Sequence, residues 1–350
     1  MQRLKSMLKS VFALLGKPAT PYLLVGAVLI GLSTAGVAIW LSGASAPITY
    51  TNLPNITGEL IADSAPPPQA QTEQRSSSGV PPIDRSTQPA GSPPIDIIPA
   101  LIERSDFGLL PKTDPEAGTP LQRYSRQNEG SPVANNRIAL ILTDLGMLPE
   151  ISEKATLLPS EIALAFSAYA PNTAEWLAYG RSKGHEVLLE LPLKSSAGTV
   201  DRGPLALSAE DSNLIANLRR ILGRATGYIG LTAEAGDFAS QSSAFQPIAD
   251  EFRSRGLAFV ELGARDLRDV SRNAGLPYLS AALAVDTVLD PSAIEDELGR
   301  LEQNARANGY AVGLLRPYPL TLDLVWRWSQ GLESRALTLV TVSSLLQVNQ

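Results

Sequence analysis

Cysteine is absent from this 350-residue chain, and histidine occurs once, at His185. The first absence removes disulfides, thiolate metal sites, iron–sulfur clusters and cysteine nucleophiles together. The second removes any zinc site built from two or more imidazoles and obliges any serine–histidine mechanism to use His185. Long basic runs are missing too: 29 Lys and Arg stand against 35 Asp and Glu, for a net charge of -6. With no basic stripe interleaved with aromatics to follow a phosphate backbone, nucleic acid is not expected as a partner. No Walker loop, HExxH, GxSxG or post-strand GxGxxG occurs. Hydrophobic residues nevertheless make up 44% of the chain, so at least one globular domain is expected.

Three textures follow one another. Residues 1–17 carry Arg3, Lys5, Lys9 and Lys17 without an acid, and no charge occurs from Pro18 to Gly58. Within that stretch the 20 residues from Tyr22 to Leu41 are largely apolar. At about 1.5 Å per residue they match a hydrocarbon core of roughly 30 Å, so residues 1–46 are expected to hold a cytoplasmic basic stub and one transmembrane helix. The positive-inside rule places the N-terminus in the cytoplasm and everything after Trp40 in the extracytoplasmic space. A signal peptide cleaved near Ala44-Ser45-Ala46 competes, but the apolar run exceeds a signal h-region and Pro47 follows the cut. Residues 47–136 hold 15 of the 27 prolines amid Ser, Gln, Asn and Gly, the composition of a disordered linker, although the Ile95–Ile102 patch is apolar enough to dock locally.

From Arg137 to the end, short apolar runs alternate with amphipathic helical patterns, which is an α/β signature. Eight strands are predicted: Ile138–Thr143, Ile162–Phe166, Val187–Leu191, Tyr228–Leu231, Ala258–Leu262, Leu279–Val285, Ala311–Leu315 and Leu337–Val342. Between them, helices are predicted over Asn172–Lys183, from Ser208 with Leu214, Leu218, Ile221 and Leu222 on one face, after Ser243, and from a Ser292/Glu295 capping box. A distorted (β/α) barrel is favoured over an open doubly wound sheet.

In either architecture function gathers at the carboxyl ends of the strands. The polar residues there are Thr143, Asp144, Glu190, Thr232, Glu234, Glu261, Asp286, Asp290 and Arg316. Singly, each is as well suited to capping a helix or to a rim salt bridge; together they suit a hydroxyl-rich ligand or a hard cation. His185 precedes its strand in Gly184-His185-Glu186 and is therefore expected at the opposite end, in a structural role.

The order of segments over residues 137 to about 345 resembles the divergent polysaccharide deacetylases, distant relatives of the NodB-type carbohydrate esterases. The resemblance is carried by the run Ile138 to Gly146, by Ile162–Phe166, and by Gly184-His185-Glu186 through Glu190 to Pro192. Gly227–Gly230, Gly256–Phe259, Val285-Asp286 with Leu289-Asp290, Gly309–Gly313 and Leu337–Ser343 continue it. It implies a glycoside hydrolase/deacetylase barrel in cell-envelope carbohydrate metabolism. It also implies that active relatives remove acetyl groups with metal-bound water held by an Asp pair and two histidines. Here the acidic pair reads Thr143-Asp144, so Asp144 alone matches the metal-holding aspartate and the base position is threonine. The positions resembling the two histidines are Glu190 and Lys194, the latter a fixed cation, and the final histidine-bearing loop reads Arg316-Pro317. The expectation is a membrane-anchored, catalytically degenerate member that binds envelope glycan or scaffolds, with no cofactor. The alternative is an active esterase whose divalent metal is held by carboxylates, Asp144 and Glu190 first. Trp326 and Trp328 are further candidates for stacking on sugar.

Overall fold

The computed structural model describes residues 79–348 other than 85, 87, 90, 127–135, 197–202 and 264–265. The expected membrane segment 22–41 and the cleavage motif lie outside them, and no helix among the described residues is long and apolar enough to cross a membrane.

An α/β barrel of parallel strands forms the centre. Its staves are β3 (Arg137–Leu145), β4 (Ala163–Phe166), β5 (Val187–Glu190), β6 (Gly230–Glu234), β7 (Ala258–Leu262), β8 (Tyr278–Ala281) with β9 (Leu283–Ala284), and β10 (Tyr310–Leu315). The hydrogen-bonded order is β8-β7-β6-β5-β4-β3-β10-β9. Because β8 and β9 are consecutive stretches of one segment broken only at Ala282, the chain itself joins the two edges and the barrel nearly closes. The predicted eighth strand shrinks to Thr338–Leu339 (β11), paired with the start of β3, and the chain turns at Val342 into a helix.

Alternation along the strands explains the continuous apolar runs, since both faces are buried. Inward residues are small or short: Ala139, Ile141, Ala163, Ala165, Ala258, Val260 and Ala281 share one buried cluster. Outward residues are large, with Leu140, Leu142, Leu164, Phe166 and Phe259 packing against the surrounding helices. A barrel this narrow has room for alanine at its axis and needs bulk outside it.

Those helices include α2 (Pro149–Ala155), α3 (Thr173–Ser182), α4 (Leu214–Leu222), α5 (Gln246–Ser254), α6 (Arg268–Asn273), α7 (Pro291–Asn308) and α8 (Pro319–Ser329). Two starts differ from the sequence reading. The fourth helix begins at Leu214 rather than at Ser208, whose hydroxyl serves a local turn. The seventh is capped by Asp290, which accepts from the Ser292 and Ala293 amides, so the Ser292/Glu295 box does not form.

The larger correction concerns the linker. Residues 94–126, assigned to a disordered tether, carry the hairpin β1 (Ile102–Ser105)/β2 (Gly108–Pro111) and helix α1 (Pro120–Tyr124), the helix closed by a Thr119/Gln122 capping box. Leu101, Leu121 and Tyr124 join the inward barrel residues and, with Val342, Leu345 and Leu346 of the C-terminal helix α9 (Val342–Val348), stop the amino end of the barrel. Buried charges fasten the segment. Arg181 donates to the carbonyls of Pro94 and Ile95, and Arg255 to Glu103 and to the Pro111 carbonyl. Glu186 accepts from the Arg126 amide and from Ser343. Proline content hides this order because the sparse apolar residues plug a hole in another element and therefore need no periodicity of their own.

Candidate functional site

A cavity of about 400 Å³ opens at the carboxyl ends of the strands. Strand parity determines what reaches it. Parallel partners face the same side, and the pairs Ile141 with Ala163, Ala165 with Leu188, Glu190 with Thr232, and Glu234 with Leu262 all belong to the inward set. Thr143, Asp144, Glu190, Thr232, Glu234 and Arg316 consequently line one space, as the sequence reading expects for these six. Ser167, Tyr169 and Tyr318 line it as well and were not anticipated. Each follows β4 or β10 by a residue or more, and counting onward in steps of two from the inward residues Ala165 and Leu314 was the available signal for all three.

Three expected members lie elsewhere. Glu261 pairs with Ala233 and Ser280 on the outward side of the sheet, one residue out of phase with Val260. There it is fully buried and accepts from the Asp266 and Leu267 amides and the Tyr278 hydroxyl, holding the loop that leads into α6. Burial pushes its carboxyl up, against the pull of those donors. Asp286 accepts from the Arg316 amide at 2.8 Å and the Thr321 hydroxyl at 2.9 Å, and burial raises it likewise. Asp290 is the helix cap already described. The tryptophans line a different surface: Trp328 donates its indole N–H to Glu302 across α7 and α8, and half-exposed Trp326 does not border the cavity.

Within the cavity, Asp144 has φ of +60°, in the left-handed region that costs a side-chain-bearing residue energy. The Glu190 carboxylate, reaching over from β5, accepts the Asp144 backbone N–H and so holds this turn. Gly146, at φ +92°, continues it, and a side chain there would meet Ala170 at 2.8 Å. The Thr143 hydroxyl lies 3.3 Å from Asp144 Oδ2 and from the Leu315 carbonyl. Lys194, at a position resembling a histidine ligand, is exposed and does not border the cavity.

This donor set does not fit the deacetylase metal. Glu190 is turned onto a backbone amide, the threonine at the base position is not a carboxylate, and no imidazole lies near. His185 is fully buried at the other end, its Nδ1 2.8 Å from the Ile162 carbonyl and its Nε2 3.2 Å from that of Thr156. Burial lowers its pKa, so the neutral ring donates through the closer nitrogen and packs as a structural residue. Among the described residues no group of three His, Asp or Glu is placed to hold a metal ion.

The mouth has an apolar lip. Met147 and Leu148 after β3, Val288 and Leu289 after β9, and Tyr318 after β10 are all exposed, on loops of neighbouring strands.

The chain is thus a parallel-stranded α/β barrel with a polar cavity at the carboxyl ends of its strands. The family model for divergent polysaccharide deacetylases matches residues 140–346, and the chain belongs to that family. It is 22% identical over 225 residues to the uncharacterised protein YibQ of Escherichia coli K12, covering 63% of this chain and 70% of that one. A solved structure of an uncharacterised protein from Agrobacterium tumefaciens C58 is 28% identical, with a TM-score of 0.64, over 68% of this chain and 99% of the other. The catalytic domain of a peptidoglycan N-acetylglucosamine deacetylase from Eubacterium rectale is also similar, at 11% identity and a TM-score of 0.39, covering 62% of this chain and 90% of that one.

Proposed function

We propose that this chain is a glycan-binding member of its family that does not hydrolyse acetyl groups, carried on the outer side of a bacterial inner membrane by its apolar N-terminal segment. The observation that carries the reading is the Glu190 carboxylate bound to the Asp144 amide in a cavity without imidazole. A metal-activated water needs donors that converge on an ion, and here the Glu190 carboxylate is turned onto the Asp144 backbone N–H while the Asp144 carboxylate accepts from the Thr143 hydroxyl. What is left suits sugars: carboxylates and hydroxyls to accept and donate hydrogen bonds, and Tyr169 and Tyr318 to cover apolar ring faces. The apolar lip supports a surface used for binding, since exposed hydrophobics collected at one mouth are uncommon on a protein without such a surface.

The test is a pair of measurements on the purified chain. Titration with soluble peptidoglycan fragments is expected to give saturable binding, weakened by Asp144→Ala, and incubation with acetylated fragments plus Zn, Mn or Mg is expected to release no acetate. Stoichiometric metal uptake with acetate release that disappears in Asp144→Ala would establish the carboxylate-held metalloesterase instead.

A further inference from the structure

Arg316 is the single Lys or Arg among the described residues lining the cavity, and it shares that space with the carboxylates of Asp144, Glu190 and Glu234. Such neighbours ordinarily pair, yet the guanidinium makes no hydrogen bond or ion pair with any described residue. Its base is nevertheless rigid. The Arg316 amide is fixed on Asp286, which is 3% exposed and also holds Thr321, and Pro317 follows at once. Both bonds fall on Asp286 Oδ2, and the Arg316 charge acts on this carboxylate through space with no hydrogen bond between the two side chains, so the donors of the guanidinium stay available. Helix α8 begins just beyond, its N-cap residue Tyr318 making no side-chain capping bond, so the positive end of its dipole lies on the same side of the mouth.

Holding a guanidinium apart from three carboxylates in one cavity sacrifices their mutual attraction, and that attraction is recovered when a ligand supplies an anion to one side and hydroxyls to the other. We propose that Arg316 is the anion-recognising group of this cavity and that the saccharide bound there is acidic, presenting a carboxylate to the planar fork of Arg316 while ring hydroxyls donate to Asp144, Glu190 and Glu234. A carboxylate suits the site better than a phosphate: the fork matches it two bonds to two oxygens, and three protein carboxylates oppose a dianion more than a monoanion. The inference rests on the glycan-binding reading and extends it to a substrate class.

The experiment uses the full-length chain and three probes: trigalacturonate, its methyl ester, and neutral chitotriose. Wild type is expected to bind the acid roughly 10- to 100-fold more tightly than the ester, the range of a charge-assisted bidentate contact. Arg316→Met is expected to abolish that preference with an unchanged thermal midpoint, and Arg316→Lys to restore part of it. Equal wild-type affinity for acid and ester, with chitotriose bound, overturns the role of Arg316 and leaves glycan binding standing. Failure of all three saccharides to bind overturns both. The acid-to-ester comparison on wild type needs no variant, so misfolding of Arg316→Met does not blunt the test.

Discussion

Removing residues 1–136 should abolish folding, whereas removing only residues 1–78 should leave a stable barrel. The shorter truncation keeps every described contact; the longer one removes Leu101, Leu110 and Tyr124, which are 1, 1 and 2% exposed. At about 1.5–3 kcal/mol for each large buried apolar side chain, their loss alone amounts to roughly 5–9 kcal/mol. The cut also leaves buried polar groups short of partners. Arg181 loses the Pro94 and Ile95 carbonyls, Arg255 loses Glu103 and the Pro111 carbonyl, and Glu186 loses the Arg126 amide. Each such group adds about 1–3 kcal/mol, and the total reaches or passes the 5–15 kcal/mol that is the whole stability of a typical domain. Urea unfolding followed by circular dichroism decides the matter. The chain from residue 79 is expected to unfold cooperatively, and the chain from residue 137 to show no folded baseline. If both unfold at the same midpoint with the same slope, the plug and its buried charges contribute nothing and the reasoning fails.

Three further predictions concern single residues. Asp144→Gly should raise stability by up to about 1–2 kcal/mol by relieving the left-handed backbone, while weakening glycan binding; a loss of stability would show that the turn is not strained. Burial pushes Glu251 up, but hydrogen bonds from Arg219 and Arg255 outweigh it and hold the carboxyl below its ordinary range, so its contribution is present above that range and lost as pH falls through the lowered value. Glu251→Gln should accordingly flatten the acid limb of a plot of thermal midpoint against pH. Glu186 has the opposite sign: burial raises it, its contribution is full below the ordinary range and is lost as pH rises through the raised value, so Glu186→Gln should gain on wild type between acid and neutral pH.

Much of the barrel was legible because its strands are buried on both faces and read as uninterrupted apolar runs such as Ile138 to Leu142. The carboxyl-end rule then pointed to Asp144, Glu190, Glu234 and Arg316, which line one cavity. Glu261 was misplaced because position at a strand end says nothing about side, and one step from Val260 turns the residue outward. Asp286 and Asp290 satisfied the same rule by serving loop and helix backbone, which no local pattern separates from a ligand-facing carboxylate. Of residues 94–126 only the docking of the Ile95–Ile102 patch was legible, and the hairpin and plug were not, for a different reason: their partners, Arg181, Glu186 and Arg255, are distant in sequence, and an exposed-looking arginine gives no sign that four backbone carbonyls await it.

The distribution of satisfied and unsatisfied polar groups separates the two ends of the barrel. Arg181, Arg255 and Glu186 at the amino end, and Glu261 and Asp286 behind the carboxyl rim, are all buried, and each is met by two or more donors or acceptors. A buried charge left without partners costs several kcal/mol, so these positions admit little change without loss of the fold. At the carboxyl end, Glu234 and Arg316 have no hydrogen-bond or ion-pair partner among the described residues, and Asp144 keeps a strained backbone within reach of solvent. Water can solvate the Glu234 and Arg316 heads, so the fold does not depend on pairing them. Charge that the fold does not need, collected where the strands end, is what a binding site demands. The amino end holds the shape, and the carboxyl end keeps the Glu234 and Arg316 side chains for a partner from outside.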